Sequence, residues 1–128
     1  MLSMEQAALP GDLQEALDDA VARIAEAADP QAVVLFGSYA EGCADADSDL
    51  DLLVVARTNS RWRLAARLYL LWHELRQALP RLPPADILMY TPRQFVEQLA
   101  VGFPAYRAAR HGVTLYGRLP QPGAQVAD

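Results

Sequence analysis

The chain has 128 residues, 52% of them hydrophobic and 21% charged, with a net charge of −5. That length and composition suit one compact domain and leave little room for a second. The acidic balance argues against non-specific binding to long nucleic acid, which needs a positive field. It does not exclude a nucleotide whose charge a metal screens. In chain order, Pro10-Gly11 breaks any earlier structure, and Asp12 with Glu15 has the spacing of a capping box. Leu13, Leu17, Val21, Ile24 and Ala28 then recur at helical steps, and Asp29-Pro30 ends that helix. Residues 32–36 read as a buried strand. Residues 37–48 read as turn and loop, with one short helical turn starting at Ser38, and residues 49–55 as a second strand.

Asn59 or Ser60 caps a helix over about 61–79, whose inner face is Leu64, Leu68, Leu71, Leu75 and Leu79, widened by Trp62, Tyr69 and Trp72. Pro80, Pro83 and Pro84 stop it. A third strand follows at 85–90. Thr91-Pro92 is a cap with proline at the first helical position, opening a helix of about 92–100. A further helix at about 104–111 ends at Gly112, and a last short strand follows at 113–116. Residues 1–117 form the expected domain. Residues 118–128 are expected to be a disordered tail, given Pro120, Pro122, Gly123 and little apolar content. The loop between the first two strands is too short for a crossover helix, so a mixed rather than all-parallel sheet is expected. The fold class is α/β (α+β): a two-layer domain, a small mixed sheet with flanking helices.

The single cysteine, Cys43, excludes an internal disulfide and agrees with a reducing cytosol. Met1-Leu2-Ser3-Met4-Glu5 lacks a signal-peptide pattern, and no apolar run reaches the roughly 20 residues that span a bilayer. A soluble, cytoplasmic protein is expected, with no membrane partner.

The chemistry concentrates between Gly37 and Val55. Gly37 lets the backbone approach a phosphate closely, and Ser38 offers a hydroxyl and a backbone N–H at the start of a helical turn. Asp49 and Asp51 lie at i and i+2 of a strand and so share a face, where two like charges repel unless a cation intervenes. Asp86 is the one charged residue of the third strand, and a neighbouring position in the sheet would bring it to the same cleft. Oxygen ligands of this kind suit one or two Mg²⁺ ions carrying nucleotide phosphates, the arrangement that stabilises in-line displacement at phosphorus. Asp45, Asp47 and Asp49 alternate as in a calcium loop, but Leu50 and Ala56 stand where that loop needs Gly and Glu. Asp45, Asp47 and Glu41 read as solvated loop charges.

Gly37-Ser38, ten residues, then Asp49-Leu50-Asp51 resembles the signature of the DNA polymerase β-like nucleotidyltransferase superfamily. The flow Gly-Ser-Tyr-Ala-x-Gly…Ser-Asp-Leu-Asp-Leu-Leu-Val and the small size are similar to its minimal nucleotidyltransferase (MNT) branch, over roughly residues 12–116. The resemblance implies that Asp49 and Asp51 bind Mg²⁺, that Asp86 helps activate the acceptor hydroxyl, and that Gly37 and Ser38 hold the triphosphate. It further implies transfer of AMP from ATP to a tyrosine of a cognate HEPN ribonuclease toxin, with this chain as the antitoxin. A non-catalytic antitoxin that neutralises by contact is one alternative. Another is an enzyme acting on a small molecule such as an aminoglycoside, for which the chain lacks an extra substrate domain unless an oligomer supplies the cleft.

Other residues read mainly as structure. Arg57 reads as a surface residue, with a phosphate contact as the rival reading. Arg107, Arg110 and His111 form a basic helix end favoured by the dipole, with a nucleotide-facing role as the rival reading. His73 is structural. Trp62, Tyr69 and Trp72 pack in the core, with a partner interface as the minority reading.

Overall fold

The computed structural model describes residues 9–100 and 102–121. Its elements are α1 (Gly11–Ala28), β1 (Ala32–Phe36), α2 (Ser38–Glu41), β2 (Leu50–Val55), α3 (Arg61–Ala78), β3 (Ala85–Tyr90), α4 (Pro92–Glu97), α5 (Pro104–His111) and β4 (Val113–Gly117). The four strands form one sheet in the order β3-β2-β1-β4. β1 runs antiparallel to β2 and to β4, while β2 and β3 are parallel. The sheet is therefore mixed, as the short β1–β2 connection requires, and the parallel pair is joined through α3.

α1 and α3 cover one face of the sheet. Leu17, Ala20 and Ile24 meet Val33, Leu35, Leu52, Val54 and Ile87 there, with Leu68, Trp72 and Leu75 from α3. Asp29 ends α1 in the left-handed conformation at φ 46°. The start of α1 differs from the capping box expected at Asp12 and Glu15. Pro10 is the N-cap and makes no side-chain cap. Asp12 lies one residue inside the helix, where its Oδ1 accepts the Leu13 N–H at 2.9 Å.

The opposite face is covered more thinly, by α4 and α5. Phe95, Ala105 and Ala108 pack on Ala32, Val34, Phe36, Leu53 and Val55. α4 is fixed by a complete capping box, Thr91 with Gln94. It is anchored by Phe95, which is 1% exposed and meets the Tyr90 ring edge-on at 6.4 Å between centroids. Truncating such an aromatic costs about 3–5 kcal/mol, so Phe95→Ala would detach this layer. The helix is shorter than the sequence implies, ending at Glu97 instead of residue 100.

β3 is an edge strand, and α3 covers its open backbone. The Tyr69 hydroxyl accepts the Ile87 N–H at 2.7 Å and donates to the Ile87 carbonyl at 3.4 Å. Arg61 donates to the Met89 carbonyl at 3.2 Å, and Trp72 Nε1 donates to the Pro83 carbonyl at 2.9 Å. Pairing these groups blunts the edge against intermolecular pairing. Only Trp72 of the three aromatics expected in the core is buried, at 3% exposure. Tyr69 is half-exposed at the sheet edge and Trp62 projects to solvent. His73, read as structural, is exposed.

The chain does not leave the domain at Gly117. The Arg118 N–H donates to the Gln31 carbonyl at 3.0 Å, Leu119 packs under the sheet and Pro120 is buried. The first residues of the expected tail thus lie against the sheet, and residues 122–128 lie outside the described residues. No helix among the described residues is long and apolar enough to cross a membrane.

Candidate active site

The site is built where β1 ends and β2 and β3 begin. In the sheet register Phe36 stands opposite Asp51, and Asp51 stands beside Asp86. Parallel neighbours lie about 4.8 Å apart, so the two carboxylates rise side by side. Strand alternation gives Asp51 the face of Leu53 and Val55, and Asp86 the face of Leu88 and Tyr90. Both therefore emerge at the rim of the α4–α5 side. Asp49 precedes β2 by one residue and is exposed. The structure thus joins Asp51 and Asp86 most closely and leaves Asp49 at the entrance.

Gly37 closes the floor. Its φ of 78° and ψ of −156° belong to a region that only glycine occupies readily. A Cβ at this position would overlap Oδ2 of Asp51 and lie 2.9 Å from its Cγ. The Asp51 carboxylate is therefore pressed against bare backbone. Ser38 opens α2, a single helical turn, as the sequence led one to expect. The turn is closed by the Glu41 N–H donating to the Gly37 carbonyl and the Cys43 N–H donating to the Ser38 carbonyl, each at 3.0 Å. The acidic loop after it organises itself: Asp45 Oδ1 accepts from the Asp47 N–H at 2.9 Å and from the Ser48 hydroxyl at 3.2 Å. Asp45 is thereby a loop-former.

Electrostatics single out Asp51. Burial pushes its carboxyl pKa upward, and the negative charges of Asp86 and, more weakly, Asp49 push it the same way. Arg107 acts against them. This arginine reaches the site from α5, where its Nε donates to Glu41 Oε2 at 2.9 Å. The pair lowers the Glu41 pKa and raises that of Arg107, chiefly through that hydrogen bond. Arg107 is thus more than a helix-end charge: it ties α5 to α2 and faces Asp51. The sequence offered only its basic neighbourhood as a signal, because 66 residues separate it from Glu41. Beside it lies a cleft of about 340 Å³ lined by Phe36, Glu41, Phe103, Tyr106, Arg107 and His111. Arg57 lines a different cleft, with Ala28, Asp29, Pro30 and Gln31.

Among the described residues, no three His, Cys, Asp or Glu side chains form a ready-made metal cage. The donor set nonetheless fits Mg²⁺, which takes one or two carboxylates and completes its shell with water and substrate phosphates. The upward push on Asp51 from its acidic neighbours is relieved by a cation.

The model of the family described as Polymerase beta, Nucleotidyltransferase matches residues 20–98, more than half of the chain, and that stretch contains Gly37, Ser38, Asp49, Asp51 and Asp86. A comparison with curated proteins gave no match. Among solved structures, a toxin–antitoxin crystallised with AMP-PNP is similar at 21% identity, over 79% of this chain and 73% of the other, with a TM-score of 0.52. A mutant MntA–HpeT toxin–antitoxin is similar at 18% identity over the same shares, with a TM-score of 0.51. A tri-AMPylated Shewanella oneidensis HEPN toxin in complex with its MNT antitoxin gives 20% identity over 82% and 73%, with a TM-score of 0.49. At these identities the first two support the shared fold. The family match over the strand–turn–strand unit that carries the carboxylates shows that the chain belongs to the polymerase β-type nucleotidyltransferase family.

Proposed function

We propose that the protein transfers AMP from ATP to a tyrosine hydroxyl of a cognate HEPN ribonuclease toxin in the cytoplasm, and so acts as its antitoxin. The carrying observation is the in-register pair Asp51–Asp86, of which Asp51 is pressed against Gly37. Two acids at strand spacing, one with a raised pKa, make a strong demand for a cation, and the bare backbone of Gly37 is what lets the Asp51 carboxylate lie there. The AMP-PNP in one similar toxin–antitoxin structure supports adenine nucleotide as substrate. The similar solved structures, each of a toxin with its antitoxin, support an acceptor carried by another protein.

In this reading Asp49 and Asp51 hold Mg²⁺, Gly37 and Ser38 seat the β- and γ-phosphates, and Asp86 takes the proton of the attacking hydroxyl. Mg²⁺ held there would supply positive charge to offset that of the triphosphate. The acceptor oxygen forms a bond to the α-phosphorus, the bond from that phosphorus to the bridging oxygen breaks, and pyrophosphate leaves. Arg107, whose charge already acts on Asp51, would favour the departing charge from the same side.

The test is incubation with α-labelled ATP, Mg²⁺ and the purified toxin. Label on a toxin tyrosine, absent with Asp49→Asn/Asp51→Asn, supports the proposal. An unlabelled toxin would sink it, and so would undiminished labelling by the double variant. Full neutralisation of the toxin by that variant in cells, at matched expression, would favour the contact-only antitoxin.

A further inference from the structure

The outward face of α3 carries an apolar ridge that no described element covers. Trp62 is 83% exposed and Leu70 is 67% exposed. With Ala66 between them they stand at i, i+4 and i+8, one line along the helix. Leu64, Leu68, Trp72 and Leu75 point the other way, into the core. Single exposed apolar residues are ordinary, but an aligned Trp, Ala and Leu on one helix is a surface suited to another helix. The small Ala66 at its centre leaves room for close approach.

The charge around the ridge is opposite to that of the whole chain. α3 holds four arginines and one glutamate, so it carries +3 in a protein of −5. Arg61 and Arg76 are turned to the Met89 and Leu82 carbonyls. Arg63 and Arg67 are exposed and flank the ridge. The Trp62 end of α3 lies by Met89, near the end of β3, whereas Asp86 lies at the start of that strand. α3 covers the sheet face opposite the one on which Asp51 and Asp86 emerge, so a body bound on the outer side of α3 leaves the carboxylates open.

We propose that this face docks an acidic helix of the acceptor protein, its apolar ridge bedded on Trp62, Ala66 and Leu70 and its Asp or Glu residues beside Arg63 and Arg67. Two arginines on an acidic domain are too few to track a nucleic-acid backbone, and Ala66 and Leu70 offer no stacking surface. A two-fold dimer through the same ridge would bring the basic flanks of two copies together. The inference rests on the protein-acceptor reading above, and its readout is binding without nucleotide.

Full-length protein is titrated with the purified toxin in the absence of ATP. Wild type and Asp51→Asn are expected to bind alike. Trp62→Ala/Leu70→Ser is expected to weaken binding by about thirtyfold or more, the loss typical of a central aromatic anchor. Arg63→Glu/Arg67→Glu is expected to slow association and flatten its salt dependence. Both variants alter exposed side chains and keep the wild-type melting temperature. Binding by Trp62→Ala/Leu70→Ser within about twofold of wild type would overturn the docking face, while toxin labelling by wild type would leave the transfer reading intact. Conversely, Trp62-dependent binding without labelling would leave the docking face and remove the transfer reading. A wild-type dimer dissolved by the Trp62 and Leu70 changes, or RNA affinity lost with them, would also overturn it.

Discussion

Replacing Gly37 by alanine tests the site through its backbone. The residue sits at φ 78°, ψ −156°, a conformation costing a non-glycine residue roughly 1–3 kcal/mol. The new methyl would overlap Oδ2 of Asp51 and lie 2.9 Å from Cγ. Carbon atoms settle at about 3.5–4.0 Å, so the carboxylate must retreat by about 0.6 Å or more. Misplacing a reacting group by about 1 Å costs on the order of a hundredfold in rate. Gly37→Ala is therefore expected to lower the melting temperature by roughly 4–12 °C and the transfer rate by tens to a hundredfold. Gly42→Ala is the matched control: φ is again 78°, but nothing lies within 4 Å of the added methyl. It should lose about 1 kcal/mol of stability and keep its transfer rate within a few-fold. Calorimetry and single-turnover transfer measure both quantities. Equal rate losses for the two variants would refute the claim that Gly37 matters through Asp51.

Asp51 carries a raised pKa, so its ionised form is held less favourably in the folded chain than in the unfolded one. Its contribution to stability is present below the unfolded value and is lost as pH rises through the folded one. Asp51→Asn should therefore melt higher than wild type at pH 7 without divalent metal, lose that advantage below about pH 4, and have no transfer activity. Added Mg²⁺ should raise the melting temperature of wild type and leave that of the variant unchanged. Arg107→Ala removes the charge that opposes the rise at Asp51, so the acidic limb of the pH–rate profile should move to higher pH, while Arg107→Lys should hold it in place. The exposed Arg107–Glu41 pair contributes at most about 1 kcal/mol, so stability should change little. Tyr69→Phe strips the Ile87 N–H of its partner, and should cost about 1–3 kcal/mol by denaturant unfolding and increase aggregation through the bared edge of β3.

Most of this was legible in the sequence because the signals were local. Apolar periodicity and punctuation located every described element to within a few residues, and Ser60 and Thr91 are the expected caps. The Gly37-Ser38 and Asp49-Leu50-Asp51 spacing marks a turn and a strand that the structure brings together, and the apolar run around Asp86 marks a strand whose order in the sheet only folding decides. What the sequence hid depends on long-range placement. Helical periodicity assigned Trp62 to the core because large apolar residues usually are buried, yet it lies across the helix from Leu64 and Leu68. Tyr69 serves the sheet edge through its hydroxyl, a contact no residue count reveals. Asp12 lost its cap role because Pro10 already had the extended backbone of an N-cap, at ψ 144°, so the helix began one residue before the aspartate. Arg107 meets Glu41 only because α5 folds back over the start of the sheet.

The most direct measurement is the intact mass of the toxin after reaction with ATP and Mg²⁺, comparing wild type with Asp51→Asn/Asp86→Asn. Wild type is expected to add the mass of one or more AMP units to the toxin, and the variant to leave its mass unchanged. An unchanged toxin with folded wild-type protein, or the same increase from the variant, would contradict this reading.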